Sequence, residues 1–195
     1  VVYSNYTLAE YNAFGIYEVF GHNNCHRGRY LPWYGFNTDI ELYNNTTADE
    51  KSSIARYSMT VTNGQLNLAN GPYNELMGGI ERANLAIRGI RQYGNPSVNA
   101  DMAELLGEAL TARALLYTEL LKAYGEVPAR FNPIDAETIY LNKSDKDVIF
   151  KQLLADLEEA FTYMKWPLKS AATATTDRPS LAFAKGLYAR LALMA

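Results

Sequence analysis

Apolar residues recur at intervals of three and four along most of the chain, the period of amphipathic helices. Thr7 to Phe20 predicts a first helix, with Thr7 as N-cap, Glu10 three residues on, and then Tyr11, Phe14, Ile16, Val19 and Phe20. From Pro72 the period returns through Tyr73, Leu76, Met77, Ile80, Ala83, Asn84, Ile87 and Ile90, and Gly94-Asn95-Pro96 stops it. Inside this second helix Gly78-Gly79 reads as a point of close helix packing. Asp101 to Tyr124 predicts a third helix. It carries Leu106, Leu110, Arg113, Tyr117, Leu120 and Tyr124 on one stripe, with Ala112 and Leu115 beside it, so it should pack on more than one side.

Ser144 is the expected cap of a fourth helix, in which Val148, Ile149, Leu153, Leu154, Leu157, Ala160 and Phe161 form the stripe and Trp166-Pro167 the stop. A fifth starts at Ser180 and continues through Leu181, Ala184, Leu187, Tyr188 and Leu191 to the last residues. Between the first and second helices, Gly21 to Thr62 has no period. It is rich in Asn, Asp, Gly and aromatics and reads as a long irregular region, the kind of ordered loop that often carries function.

The string LTARALL at 110 to 116 returns as LYARLAL at 187 to 193, which places Arg190 where Arg113 stood, 77 positions earlier. Half that offset is close to one helix pair of the tetratricopeptide class, so the pattern suits a short all-α solenoid of stacked pairs. The predicted architecture is one helical domain over residues 1–195 with tetratricopeptide-like pairs and a long loop region. The chain starts without Met and ends within a helical pattern, and it reads as a piece of a longer protein.

Composition removes several functions. With 195 residues, 48% hydrophobic and 20% charged, the chain is an ordinary folded protein, and no stretch approaches the roughly 20 apolar residues that span a bilayer. A net charge of -3 with scattered Lys and Arg argues against nucleic acid. The single cysteine, Cys25, excludes an internal disulfide framework. His22, Cys25 and His26 are metal-ligand types, but no further Cys or His completes a tetrahedral site, and a structural loop is the better reading. With no histidine beyond these two and no Gly-x-Ser-x-Gly the sequence argues against a nucleophilic triad, it has no phosphate-cradling glycine pattern, and no cofactor is expected.

The stretch EALTARALLYTELLKAYGEVPAR resembles the central motif of the SusD/RagB family, in which an Ala- and Arg-containing helix leads to an aromatic, Tyr-Gly and Val-Pro. YNELMGGIERANLAIRGI, DKDVIFKQLLADLEEAFTYMKWP and RPSLAFAKGLYARLALMA resemble three further blocks in the family's order. The second block has Tyr73 and Met77 where members commonly carry Trp and Tyr, and members are considerably longer. The resemblance implies a lipid-anchored protein on the surface of the outer membrane of Bacteroidetes-type bacteria. Its anchor is not in this chain, it is not an enzyme, and it acts with a SusC-like TonB-dependent transporter. Its ligand would be an oligosaccharide or polysaccharide, or in some members a peptide.

Glycan capture needs rings that stack on the C–H face of a sugar and Asp, Asn and Arg side chains that hydrogen-bond vicinal hydroxyls. WYGFNTDIELYNN supplies those types, and the candidates are Trp33, Tyr34, Asn37, Asp39, Tyr43 and Asn44, with Arg56 and Tyr57 in the same region. The resemblance also puts an acidic residue near Asp39. The competing readings are rings packed on helices with Asx turn caps, and a protein-binding scaffold in which the aromatic loop is an interface hot spot. A hydrolase using an acid pair ranks behind both. Arg113, Arg190, Gly125 and Pro128 are assigned structural roles. The arginines should pack their stems between helices, Gly125 should take a left-handed cap and Pro128 should block continuation.

Overall fold

The computed structural model describes residues 2–29, 38–41, 43, 50–67, 71–167 and 177–195. Among them every regular element is helical: α1 (Tyr6–Gly21), α2 (Glu50–Ala55), α3 (Pro72–Gly89), α4 (Ala100–Tyr124), α5 (Lys146–Phe161) and α6 (Leu181–Met194). A 3-10 turn at Val2–Ser4 precedes α1, and α3 runs into a π turn at Ile90–Gly94. The chain divides into two compact units, one of residues 1–16 with 79–195 and the other of residues 17–78, and the division runs through α1 and α3.

In the larger unit, α4 is the central element, buried almost continuously from Met102 to Leu121, and it packs against both α5 and α6. This is the two-sided packing that its two apolar faces predict. Gly107 near the start of α4 lies against the end of α5: an added Cβ would stand 2.5 Å from Met164 Cγ and 3.4 Å from the Ala160 carbonyl oxygen. The two helices are therefore antiparallel neighbours, and glycine is what lets them approach. Leu153, Leu157 and Ala160 of α5 and Ala184, Leu187 and Leu191 of α6 continue the core. The 3-10 turn packs on the π turn. Asn95, at φ 48° and ψ 56°, ends the π turn in the left-handed conformation that Asn tolerates better than most residues.

Several expected details fall elsewhere. The cap of α1 is Asn5, whose Oδ1 accepts from Leu8 N at 3.1 Å, and not Thr7. The buried stripe of α1 is Ala9, Ala13, Ile16 and Val19, while Tyr11 and Phe14 are exposed, because the small residues and not the rings face the core. Asp145, accepting from Asp147 N at 2.8 Å, caps α5, and Ser144 instead bonds the segment after α4 through Ala129 N. The helix α5 ends at Phe161, with Thr162 closing it, before Trp166-Pro167 is reached. Val148 is exposed and Phe150 takes its place in the core. A Cβ on Gly78 would meet nothing within 4 Å, so Gly78 itself is not a point of close packing, whereas one on Gly89 would run into the Tyr3 ring. The region from Gly21 to Thr62 is not wholly irregular, since it contains α2.

Candidate functional site

The smaller unit contains the predicted ligand region. Trp33, Tyr34, Asn37 and Asn44 lie outside the described residues. Asp39 is exposed on a bend closed by Thr38 N donating to Glu41 O at 3.1 Å, Tyr43 is half-buried, and Arg56 is exposed just beyond the end of α2.

The end of α2 is the best-defined part of this surface. Ser58 N donates to Ser53 O at 2.9 Å and Tyr57 N to Ile54 O at 3.0 Å, the paired bonds of a Schellman cap with Tyr57 at the position normally held by glycine. Tyr57 accordingly has φ 55°, an outlier for a bulky side chain, and it is 80% exposed. An exposed ring on a strained backbone, next in sequence to exposed Arg56, is the kind of outlier that clusters at ligand-binding surfaces.

The loop after it is tied back to α2. Asn63, buried, donates through Nδ2 to Glu50 O and Ser53 Oγ, both at 2.9 Å. The Glu50 carboxylate accepts from Gly64 N at 2.6 Å and Gln65 Nε2 at 3.1 Å, and Arg29 Nη1 donates to Gly64 O at 2.9 Å. These bonds hold a compact loop that leaves Val61 95% exposed, with Met59 exposed beside it. The Asn63-Gly64 dipeptide is the turn signal that could have located this loop in the sequence.

His22, Cys25 and His26 serve local structure here. His22 Nδ1 lies 3.3 Å from Glu75 Oε1, Cys25 is buried with its sulfur 3.1 Å from His26 Nδ1, and the Phe20 and His26 rings meet edge-on at 5.0 Å.

In the larger unit, Arg113 is 2% exposed and sits at the centre of a polar network. Its Nε and Nη2 reach Asp156 Oδ2 at 2.9 and 2.7 Å, and its Nη1 donates to Asn84 Oδ1 at 2.9 Å and Phe131 O at 3.0 Å. Gln152 Nε2 donates to the other Asp156 oxygen at 2.9 Å. Asn84 Nδ2 donates onward to the carbonyls of Arg130 and Asn132, and Tyr117 Oη accepts from Arg130 N at 2.6 Å. The network thus staples the segment after α4 to α3, α4 and α5. Burial pushes the Asp156 carboxyl above the ordinary aspartate range, against the opposing pull of Arg113 and Gln152.

That segment starts at Gly125, whose φ of 71° and ψ of −125° lie in a region open to glycine alone, a positive φ but not the left-handed helical cap. Pro128 follows, its carbonyl oxygen 3.1 Å from Tyr117 Oη. Arg190 does not share the surroundings of Arg113. It is exposed on α6, beside a groove lined by Leu115, Thr118, Glu119 and Phe183, and among the described residues nothing packs over it as α3 and α5 do over Arg113.

No family model matches the sequence, and no curated protein matches it either. Solved structures do. A SusD superfamily protein from Bacteroides thetaiotaomicron superposes with a TM-score of 0.79 at 19% identity, over 97% of this chain and 42% of that one. One from Bacteroides vulgatus gives 0.80 at 17%, over 99% and 40%. The chain has a SusD-like fold. A laminarin-binding SusD-like protein superposes at 0.74 with 17% identity, over 96% of this chain and 40% of its own. The chain therefore spans about two fifths of the length of these SusD-like structures. The all-α architecture expected from the helical periods is the one the SusD-like neighbours share.

Proposed function

We propose that this chain is part of a surface protein that captures an oligosaccharide or polysaccharide and delivers it to a SusC-like TonB-dependent transporter, without catalysis. The observation that carries the reading is the SusD-like fold over nearly the whole chain, shared with a neighbour named for binding laminarin. No described helix is long and apolar enough to cross a membrane, and attachment to the outer membrane would be through a lipid anchor. In this reading the chain is one segment of a single longer SusD-like domain.

In this reading the candidate side chains of 33–45, with Arg56 and Tyr57, hold the sugar. Rings stack on its C–H faces, while Asp39, Asn37, Asn44 and Arg56 take its hydroxyls in reversible hydrogen bonds. Such contacts are non-covalent and reversible, which delivery requires.

The test is a panel of oligosaccharides titrated against the protein by tryptophan fluorescence, with Asp39→Ala, Tyr43→Ala and Arg56→Ala as variants. Saturable quenching that weakens in the variants supports capture, and release of reducing ends would replace it with hydrolysis. A second reading, a peptide-capturing or protein-binding scaffold, is favoured by the exposed apolar side chains of Tyr57, Met59 and Val61. A response to peptides or transporter fragments with none to any sugar would select it.

A further inference from the structure

Within the larger unit, the start of α1, the first turns of α4 and the segments that leave α5 and enter α6 enclose a groove of about 320 Å³. That is the lower end of the range for small-molecule sites, roughly 300–1,000 Å³. Trp166 stands at it 62% exposed, an uncommon state for the largest apolar side chain, and Pro167 beside it restricts the backbone. The adjoining strip of main chain is fixed, because Leu181 N donates to Lys165 O at 2.9 Å and Ser180 caps α6. Trp166 therefore directly follows a residue whose main chain is hydrogen-bonded to the start of α6.

The polar wall is equally defined. Arg178 donates through Nε to both oxygens of buried Glu108, at 3.1 and 3.0 Å, and its Nη1 lies 2.5 Å from Glu10 Oε1. Tyr6 Oη donates to the same Glu10 oxygen at 2.9 Å. Lys165 Nζ meets Glu104 Oε2 at 2.6 Å, using one of its three donors. Each cation in the groove is matched by a carboxylate, and Glu10 adds one more, so an anionic ligand gains nothing. A neutral polyol fits this surface: its hydroxyls bridge fixed donors and acceptors, and its C–H face lies on the indole.

We infer that this groove is a second contact site for a neutral saccharide, with Trp166 as the stacking platform and Lys165, Glu104 and Arg178 as the hydroxyl-binding groups. This rests on the glycan-capture reading but uses none of the residues 30–57 on which that reading is placed.

The experiment labels the protein with 5-fluorotryptophan and follows the resonances of Trp33 and Trp166 by fluorine NMR, the Trp33 line being assigned by its loss in Trp33→Phe. The Trp166 line is assigned by its loss in Trp166→Phe. Neutral oligosaccharides of glucose, mannose, xylose and galactose are titrated, and a peptide mixture serves as the contrasting ligand. The expected result is a saturable shift of the Trp166 line by one of the sugars. Trp166→Ala should weaken that binding by roughly tenfold and Lys165→Ala by a few-fold, at unchanged thermal midpoint because both side chains are exposed. If only the Trp33 line moves and Trp166→Ala binds as wild type, the groove is overturned and capture at the loop stands. A Trp166 shift with Trp33 silent keeps the groove and removes the loop. No shift of either line by any sugar overturns both, and a Trp166 shift confined to peptides overturns the saccharide assignment.

Discussion

Arg113 on α4 and Asp156 on α5 form an ion pair through two contacts to one carboxylate oxygen, at 2.7 and 2.9 Å, with both side chains almost wholly removed from solvent. Removing one partner leaves the other charge buried, which typically costs about 3–5 kcal/mol, while replacing both with apolar residues of similar volume can be close to neutral. Arg113→Ala is therefore expected to lose stability in that range by urea denaturation. Arg113→Met with Asp156→Leu should lose clearly less, although the Asn84 and Phe131 oxygens then lack their donor. A double variant as unstable as the single one would show that the arginine's bonds to Asn84 and Phe131, and not the stranded Asp156 charge, are what matters.

The same pair makes a prediction about pH. Burial holds the Asp156 carboxyl above its ordinary value of 3.8 in the folded protein, so the native state takes up a proton before the unfolded chain does. The linkage slope is then negative: this group favours folding most below 3.8, and that advantage is lost as pH rises through the folded-state value. Compared at matched pH, wild type should gain stability relative to Asp156→Asn as pH falls from neutral, and the gain should level off once pH is below the unfolded value. A difference that grows in the opposite direction would mean that Arg113 outweighs burial.

Elements with long, unbroken periods were readable from the chain: α3, α4, α5 and α6 lie within a few residues of their expected bounds, because burying an apolar stripe is what forms them. Caps were less so. Thr7 and Asn5, or Ser144 and Asp145, are all competent oxygen acceptors, and only the direction of chain entry decides between them. Arg113 and Arg190 share one local sequence and differ in burial, since burial depends on which helices pack over a face and not on the residues within it. The strained cap at Tyr57 left no trace in the pattern because glycine, the usual signal for a positive φ, is missing there.

Arg178 links Glu10 of α1 to Glu108 of α4, and its guanidinium also lies 5.1 Å from the centre of the Phe14 ring. Burial opposes its charge, but the hydrogen bonds and charges of Glu108 and Glu10 outweigh it and hold the group protonated. Charge-assisted bonds of this kind are worth roughly 1.5–3 kcal/mol each when the partner is left unsatisfied. Glu10 is 20% exposed and regains water, so most of the loss falls on buried Glu108, and Arg178→Ala should cost about 2–3 kcal/mol and free the start of α1. Amide hydrogen exchange of residues 6–16 is expected to speed up while that of α5 changes little. Uniform acceleration through the unit would show that Arg178 holds the whole core, not that one helix.

Tyr57 offers a test that separates stability from binding. Its φ of 55° costs a residue with a Cβ about 1–2 kcal/mol that glycine does not incur, and its ring is exposed, so little packing is lost on removing it. Tyr57→Gly should consequently leave the protein as stable as wild type or more stable by up to about 1 kcal/mol, after the extra freedom glycine brings to the unfolded chain is subtracted. If the strain is retained because the ring contacts ligand, the same variant should bind oligosaccharide several-fold more weakly. Tyr57→Phe, which keeps ring and strain but not the hydroxyl, divides stacking from hydrogen bonding. Weaker folding of Tyr57→Gly would mean the ring packs in solution. Unchanged affinity would remove Tyr57 from the ligand surface, leaving Asp39, Tyr43 and Arg56 as its described members.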